Sequence, residues 1–340
     1  MHWAAINGHE DVVALLLDRM DGASIAATDK CGWTALQYAA SQGHEDVVAL
    51  LLGRMDKAEI AAMDYFGWTA LHRAAVNRHK GVVPLLLHRM DGASIAATDE
   101  WGRTALHSVA IDGHEDMVAL LLGRMDDASI AATDKKNGVT ALHIAAQNGN
   151  EDAAALLLDK MDDASIAATE KAGATALHHA ANNGHKGVVE LLLGRMDEAS
   201  IAATDKCGST ALHHTAFKGH KDVVALLLRR MDDASLAATD YVGSTALHCA
   251  ANNGHRGVVE LLLGRMDDAS IAAKDIEYGA TALQLAAKKG HEDVVALLLD
   301  KMDDRRDGPK RTDGVASGGQ CAHCRMSHKS EIASSFRPPK

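Results

Sequence analysis

The sequence predicts an all-α array of stacked helical repeats, and three observations lead to this fold class. First, a Thr-Ala-Leu triplet recurs in steps of 35 or 36 residues, a spacing typical of repeat proteins. Second, 47% of the 340 residues are hydrophobic but only 3% are aromatic, so the hydrophobic residues are mainly Ala and Leu. Third, each repeat contains two short apolar patterns with helical spacing. The triplets begin at Thr34, Thr69, Thr104, Thr140, Thr175, Thr210, Thr245 and Thr281.

Two helices are predicted in each unit, and residues 34–55 show the pattern. Leu36, Ala39 and Ala40 fall on one face of a first helix, with Thr34 as a suitable N-cap and Gly43 as a suitable stop. The apolar face of the second helix comprises Val47, Val48, Leu51, Leu52 and Met55. Neither short helix can bury its apolar face alone, so we expect neighbouring units to stack side by side.

The segment that joins one unit to the next allows two interpretations. Residues 54–62 could form an extended finger, which we favour. Alternatively, Asp56 could cap a short helical turn that runs through Ala62, because Ala-rich segments favour helix.

These motifs resemble the ankyrin repeat family. The family pattern appears as Thr69-Ala-Leu71-His72-Arg-Ala74-Ala75, followed in the next unit by Gly113-His114 and a Val-Ala-Leu-Leu run. The resemblance implies non-catalytic binding of other proteins through a concave groove, as a scaffold or adaptor that needs no cofactor. Alanine replaces the family's proline after each Thr, and Pro84 lies near the start of a second helix. We expect Pro84 to remove one hydrogen bond and to bend its unit.

Composition and charge narrow the classes of partner. The net charge of −11 argues against nucleic acid as the main partner. No apolar run approaches the roughly 18 residues of a membrane span, so we expect no membrane insertion. The first residues lack the pattern of a secretory signal, and five cysteines fit a reducing compartment. We therefore expect a cytoplasmic protein, with the nucleus as the alternative.

Fifteen of the twenty histidines occupy two fixed repeat positions, which indicates a structural role. The resemblance implies that the first set bonds the Thr three residues earlier and the backbone of an adjacent unit. We expect these residues to be buried and neutral, with lowered pKa values. The second members of two doublets, His179 and His214, are expected to face the groove. The first set comprises His2, His72, His107, His143, His178, His213 and His248.

Partner binding is predicted where the repeat varies, at the segment just before each Thr. Three successive segments of this kind hold five of the eleven aromatic residues, and two arginines flank them. Trp, Tyr and Arg are frequent interface hot spots. The alternative is that these rings pack on one another and only shield the segments. The candidate residues are Trp33, Tyr65, Phe66, Trp68, Arg73, Trp101 and Arg103.

The predicted boundaries are a repeat array over residues 1–303 and a disordered tail over residues 304–340. The array comprises one partial unit, residues 1–33, and the eight units that begin at the triplets. No catalytic motif is recognisable, and we expect no enzyme. Cys321 and Cys324 in the tail are weak zinc candidates, and a metal-dependent contact is one alternative. The other is that the chain is the substrate-recruiting arm of a larger enzyme, such as a kinase or ubiquitin ligase.

Overall fold

The computed structural model of the protein describes residues 1–306, and this part of the chain contains 26 helices and no strand. Residues Met1–Leu299 form one compact unit. The predicted all-α repeat array is therefore confirmed. Two isolated antiparallel bridges, Thr204 with Thr210 and Lys274 with Thr281, are the only β pairs within residues 1–306.

Each full unit contains a first helix that begins directly after the repeated Thr, and the partial unit contains its counterpart after Met1. Thr34 and Gln37 form a reciprocal capping box, in which the Gln37 backbone N–H donates to Thr34 Oγ1 and the Thr34 N–H donates to Gln37 Oε1. This box uses two backbone donors that a helix start would otherwise leave without partners. The first helices are α1 His2–Ile6, α4 Ala35–Gln42, α7 Ala70–Val76, α10 Ala105–Asp112, α13 Ala141–Asn148, α16 Ala176–Asn183, α19 Ala211–Lys218, α22 Ala246–Asn252 and α25 Ala282–Lys289.

A second helix follows after a turn, and it packs on the first helix of its own unit and on the second helices of the adjacent units. Val48 and Leu51 are fully buried, as are Leu36 and Ala39 of the facing helix. Burying one Leu side chain contributes about 2 kcal/mol, so stacking stabilises helices too short to persist alone. The second helices are α2 Glu10–Leu17, α5 Glu45–Leu52, α8 Val82–Arg89, α11 Glu115–Leu122, α14 Glu151–Lys160, α17 Lys186–Arg195, α20 Lys221–Leu228, α23 Arg256–Leu263 and α26 Glu292–Arg306.

The joining segment is a short helix, so the extended finger that we favoured from the sequence is wrong over these residues. Asp56 caps Lys57–Ile60 and accepts a hydrogen bond from the Glu59 backbone N–H at 2.8 Å. Ile60 then enters the core, where it is 1% exposed. The short helices are α3 Gly22–Ile25, α6 Lys57–Ile60, α9 Gly92–Ile95, α12 Asp127–Ile130, α15 Asp163–Ile166, α18 Glu198–Ile201, α21 Asp233–Leu236 and α24 Asp268–Ile271.

The unit that begins at Thr69 departs from the pattern at the turn between its two helices. Arg78 has φ +60° where most units have glycine, and α8 begins at Val82, two residues later than its counterparts. Pro84 thus lies in the first turn, where a missing N–H disrupts no bond within α8. The late start agrees with the missing N–H of Pro84, and the bend expected from the sequence stays a prediction.

The glycine at this turn is required because the next unit approaches it closely. A Cβ at Gly184 would lie 2.6 Å from Nδ1 of His220. The His220 Nε2 bonds the Asn182 carbonyl oxygen of the preceding unit at 3.1 Å. Arg78 replaces this glycine in one unit, and the histidine of the next unit is His114. Its Nε2 lies 3.8 Å from Oδ2 of Asp112 in its own unit.

The last helix runs to Arg306, three residues beyond the predicted end of the array. The rest of the predicted tail lies outside the described residues. No helix in the described part of the chain is both long and apolar enough to cross a membrane.

Candidate interaction surface

A tight loop, here called a tip, precedes the repeated Thr of each full unit. An acidic residue opens every tip, and in most tips its carboxylate holds the loop closed. Asp29 Oδ1, for example, accepts hydrogen bonds from the backbone N–H groups of Cys31 and Trp33 at 2.8 and 2.9 Å. Such side chain-to-backbone bonds explain why Asp is preferred there. Tips 1 to 8 are residues 29–33, 64–68, 99–103, 134–139, 170–174, 205–209, 240–244 and 275–280.

Consecutive tips are joined by one backbone hydrogen bond each, which holds them in register. The N–H of Glu100 donates to the Phe66 carbonyl at 2.9 Å, and the N–H of Lys135 donates to the Trp101 carbonyl at 2.8 Å. The same bond recurs up to the last pair of tips, where Ile276 donates to Val242 at 2.8 Å. The tip side chains therefore stand on a continuous, pre-arranged backbone ladder.

The guanidinium group of Arg73 is enclosed between two aromatic rings of neighbouring tips. Its central carbon lies 3.9 Å from the Trp33 ring centre and 4.4 Å from that of Trp68. A salt bridge joins Arg73 to the fully buried carboxylate of Asp64. Cation–π contacts of this kind gain strength when they exclude water. Arg73, Trp33 and Trp68 thus hold tips 1 and 2 together.

Tyr38 completes this inner cluster beneath tip 1. Its ring centre lies 4.8 Å from that of Trp33, and its hydroxyl donates to Asp29 Oδ2 at 2.6 Å. This hydrogen bond to the carboxylate raises the pKa of Tyr38 to about 12 and lowers the pKa of Asp29 below its usual 3.8. The hydroxyl therefore stays protonated and the carboxylate charged around neutral pH.

Three of the candidate aromatic residues remain exposed on tips 2 and 3. Tyr65 is 72% exposed, Phe66 51% and Trp101 40%. Phe66 and Trp101 stack with ring centres 6.5 Å apart. The Arg103 guanidinium lies 4.6 Å from the Trp101 ring centre, and Asp99 holds it, since Asp99 Oδ2 accepts a hydrogen bond from Arg103 Nε at 3.0 Å.

Some of the predicted site residues therefore fit the interpretation that the rings pack on one another, and others stay exposed, as partner binding requires. Trp33, Trp68 and Arg73 pack on one another, as the shielding alternative expects. Tyr65, Phe66 and Trp101 instead present open apolar surface. Which of them contact a partner stays a prediction.

A second apolar patch lies at the other end of the tip row, and the sequence analysis missed it. Tyr241 and Val242 on tip 7 are 74% and 43% exposed, and Ile276 and Tyr278 on tip 8 are 78% and 64% exposed. These residues occupy the same tip positions as Tyr65 and Phe66. That shared position was the available signal, but tips 7 and 8 lack the tryptophans that distinguish tips 1 to 3.

The first histidine set lies at the contact between units. Nδ1 of His178 accepts from the Thr175 backbone N–H at 3.2 Å, and its Nε2 lies 3.1 Å from the Ser209 carbonyl oxygen. This arrangement suits a neutral imidazole with its proton on Nε2. Six of the seven histidines are at most 3% exposed, while His2 is half-buried. Those six are His72, His107, His143, His178, His213 and His248.

Burial lowers the pKa of each of these six histidines because desolvation penalises the charged form. The pKa falls from 6.5 to about 4 for His72, His143 and His178. The expectation of buried, neutral imidazoles is borne out at these positions.

The doublet histidines do not stand free in the groove. The His179 ring meets the edge of His143 in the preceding unit at 5.7 Å, and burial lowers its pKa. His214 Nε2 lies 2.8 Å from Oδ2 of Asp205 on tip 6. Both side chains are half-buried between units.

No group of three or more His, Cys, Asp or Glu side chains within the described residues is placed to hold a metal ion. Burial raises the pKa of the Cys249 thiol to about 12, which makes it a poor nucleophile and metal ligand. The zinc candidates Cys321 and Cys324 lie outside the described residues.

A family model for ankyrin repeats, built on three copies, matches the chain in five overlapping stretches. These are residues 1–99, 91–169, 125–204, 161–240 and 233–307. A search of curated proteins found no match. The five stretches cover every unit described above, so the chain belongs to the ankyrin repeat family, whose repeats are generally protein–protein interaction modules.

Proposed function

We propose that this protein is a non-catalytic scaffold or adaptor, which holds a partner protein against its tips and the adjoining groove. The proposed compartment is the cytoplasm, with the nucleus as the alternative. One observation carries the proposal: Tyr65, Phe66 and Trp101 are exposed on two successive tips whose backbones are hydrogen-bonded together.

Large exposed aromatic side chains are costly to leave in water and are frequent hot spots of protein interfaces. The contacts that hold the tips in place support this interpretation. Arg73 and Asp64 form a salt bridge below the exposed rings, and the tip backbones are hydrogen-bonded to each other. A partner would therefore lose little free energy in ordering this surface.

The test compares affinity capture by the full chain with capture by the double variant Phe66→Ala/Trp101→Ala. Trp68 is left unchanged because it packs on Arg73 and supports the tips. The matched control is Val12→Ala/Leu15→Ala, which removes two apolar side chains that are 46% and 68% exposed away from the tips.

We expect a set of proteins that the wild type and the control retain but the tip variant loses, with unchanged helical circular dichroism in all three. Equal retention by the tip variant would contradict use of these tips. Turnover of a small molecule by the isolated chain would contradict the non-catalytic role.

A further inference from the structure

The middle of the tip row is basic. Tips 4, 5 and 6 expose Lys135, Lys136, Lys171 and Lys206, and no exposed acidic residue lies on these three tips. Lys171 bridges two of the tips, since its Nζ donates to the Lys136 carbonyl at 2.9 Å.

The acidic residues of these tips do not neutralise the lysines at the surface. Asp134 is 8% exposed, and its Oδ1 accepts backbone hydrogen bonds, for example from Asn137 at 2.8 Å. Asp205 faces inward to His214, and Glu170 is half-buried. The four lysines are thus the exposed charged residues of tips 4 to 6.

This basic stretch lies on an otherwise acidic molecule. Residues 1–302 hold 27 Lys and Arg but 41 Asp and Glu. A local patch of opposite sign selects partners by charge and speeds their encounter. The last residues of this chain are themselves basic, with eight Lys and Arg against five Asp and Glu from Asp303 onward. They therefore lack the charge to fill the patch.

Apolar tips flank the basic ones on both sides. Phe66 and Trp101 lie before them, and Tyr241 and Ile276 lie after them. Tip 3 and tip 7 are four repeat steps apart. At about 10 Å per step, the usual spacing of packed helices, this distance is about 40 Å. An extended chain covers it with about 12 residues at about 3.3 Å each.

We propose, resting on the proposed function, that the partner presents an extended acidic segment of about 12 residues with an aromatic or aliphatic anchor at each end. The anchors pack on tips 2 and 3 and on tips 7 and 8, and the acidic residues lie over the lysines of tips 4 to 6. A nucleic acid matches the charge of the lysines but lacks the apolar anchors.

The test uses the full chain and synthetic fluorescent peptides. The probe has Trp-Leu at each end of six Glu-Asp pairs. A second peptide replaces these pairs by Gln-Asn, and a third keeps only three Glu-Asp pairs. A single-stranded oligothymidylate is added as a competitor. Binding is measured by fluorescence anisotropy at low and at physiological salt.

The protein variants separate the charge from the anchors. Lys136→Glu/Lys206→Glu reverses two exposed basic residues of the tips, and Lys57→Glu/Lys160→Glu reverses two exposed lysines elsewhere. Phe66→Ala/Trp101→Ala removes one anchor site. Lys135 is kept because its stem packs against Gly102.

We expect the acidic probe to bind about tenfold tighter than the neutral peptide at low salt, with the preference shrinking as salt rises. The tip reversal abolishes this preference and the control reversal keeps it. The short peptide binds more weakly, since it cannot reach both anchors.

Equal binding of the neutral and acidic peptides would overturn the proposal that the bound segment is acidic. It would leave the aromatic tips as a binding surface. Binding of no peptide would also overturn it. So would tighter binding of the oligothymidylate than of the acidic probe, because the oligonucleotide lacks the apolar anchors. The capture experiment decides the proposed function separately.

Discussion

Acidification should weaken the repeat array, because its buried histidines must stay neutral. The pKa is about 4 in the folded chain for His72, His143 and His178, against about 6.5 in the unfolded chain. Between these values the unfolded chain binds more protons, so stability is complete above pH 6.5 and is lost as pH falls toward 4. At pH 5.5 the loss is about 1.4 kcal/mol per histidine and about 4 kcal/mol for the three.

The chain supplies its own neutral replacement for these residues. Gln37 stands at the equivalent position of the first full unit, where its Oε1 accepts from the Thr34 N–H at 2.8 Å and its Nε2 donates to the Trp68 carbonyl at 2.7 Å. Glutamine thus makes both bonds without a titratable ring. The variant His72→Gln/His143→Gln/His178→Gln should keep most of its stability at pH 7.5.

The assay is urea unfolding at pH 7.5 and 5.5, followed by far-ultraviolet circular dichroism. The wild-type midpoint should fall on acidification, and the triple variant should show a clearly smaller shift, since His107, His213 and His248 still contribute. His88→Gln, which changes an exposed histidine of α8, should behave as the wild type. An unchanged shift in the triple variant would refute the reasoning. The capping aspartates Asp21 and Asp126 do not interfere, because hydrogen bonds from Ser24 and Ser129 lower their pKa values from 3.8.

Two further predictions concern the local backbone. Arg78→Gly should raise the free energy of unfolding by about 1 kcal/mol, since glycine adopts φ +60° without steric cost. The urea midpoint should rise accordingly. Arg78→Ala keeps the Cβ and should show no such gain; an equal gain would point to the charge instead. Asp126→Ala should cost about 1 kcal/mol by removing the cap on the Ser129 N–H, whereas Asp127→Ala, one residue later, should be near neutral. Equal losses would argue against the cap.

The second patch on tips 7 and 8 shows why the interaction surface was only partly predictable. Tyr65 and Tyr241 occupy equivalent tip positions and are 72% and 74% exposed. Trp33 and Trp68 are the stronger hot-spot candidates by residue type, yet both pack on the guanidinium group of Arg73, which lies between them. Residue type predicts which side chains could bind, but exposure depends on the side chain that the next unit brings.

The sequence by itself determined the period, the two main helices of each unit, their Thr caps and the burial of the first histidine set. The period, the helices and the caps depend on residues within one unit and recur in the full units, so their signal is strong and local. The burial of the histidines was predictable because each of these units meets a neighbour of nearly the same sequence. Only the tertiary structure decided which aromatic rings stay exposed, that the lysines of tips 4 to 6 lie on neighbouring loops, and that His114 lies beside Asp112. Those outcomes arise at contacts between units about 35 residues apart in the chain, where one neighbour's side chain occupies or leaves open the space beside another.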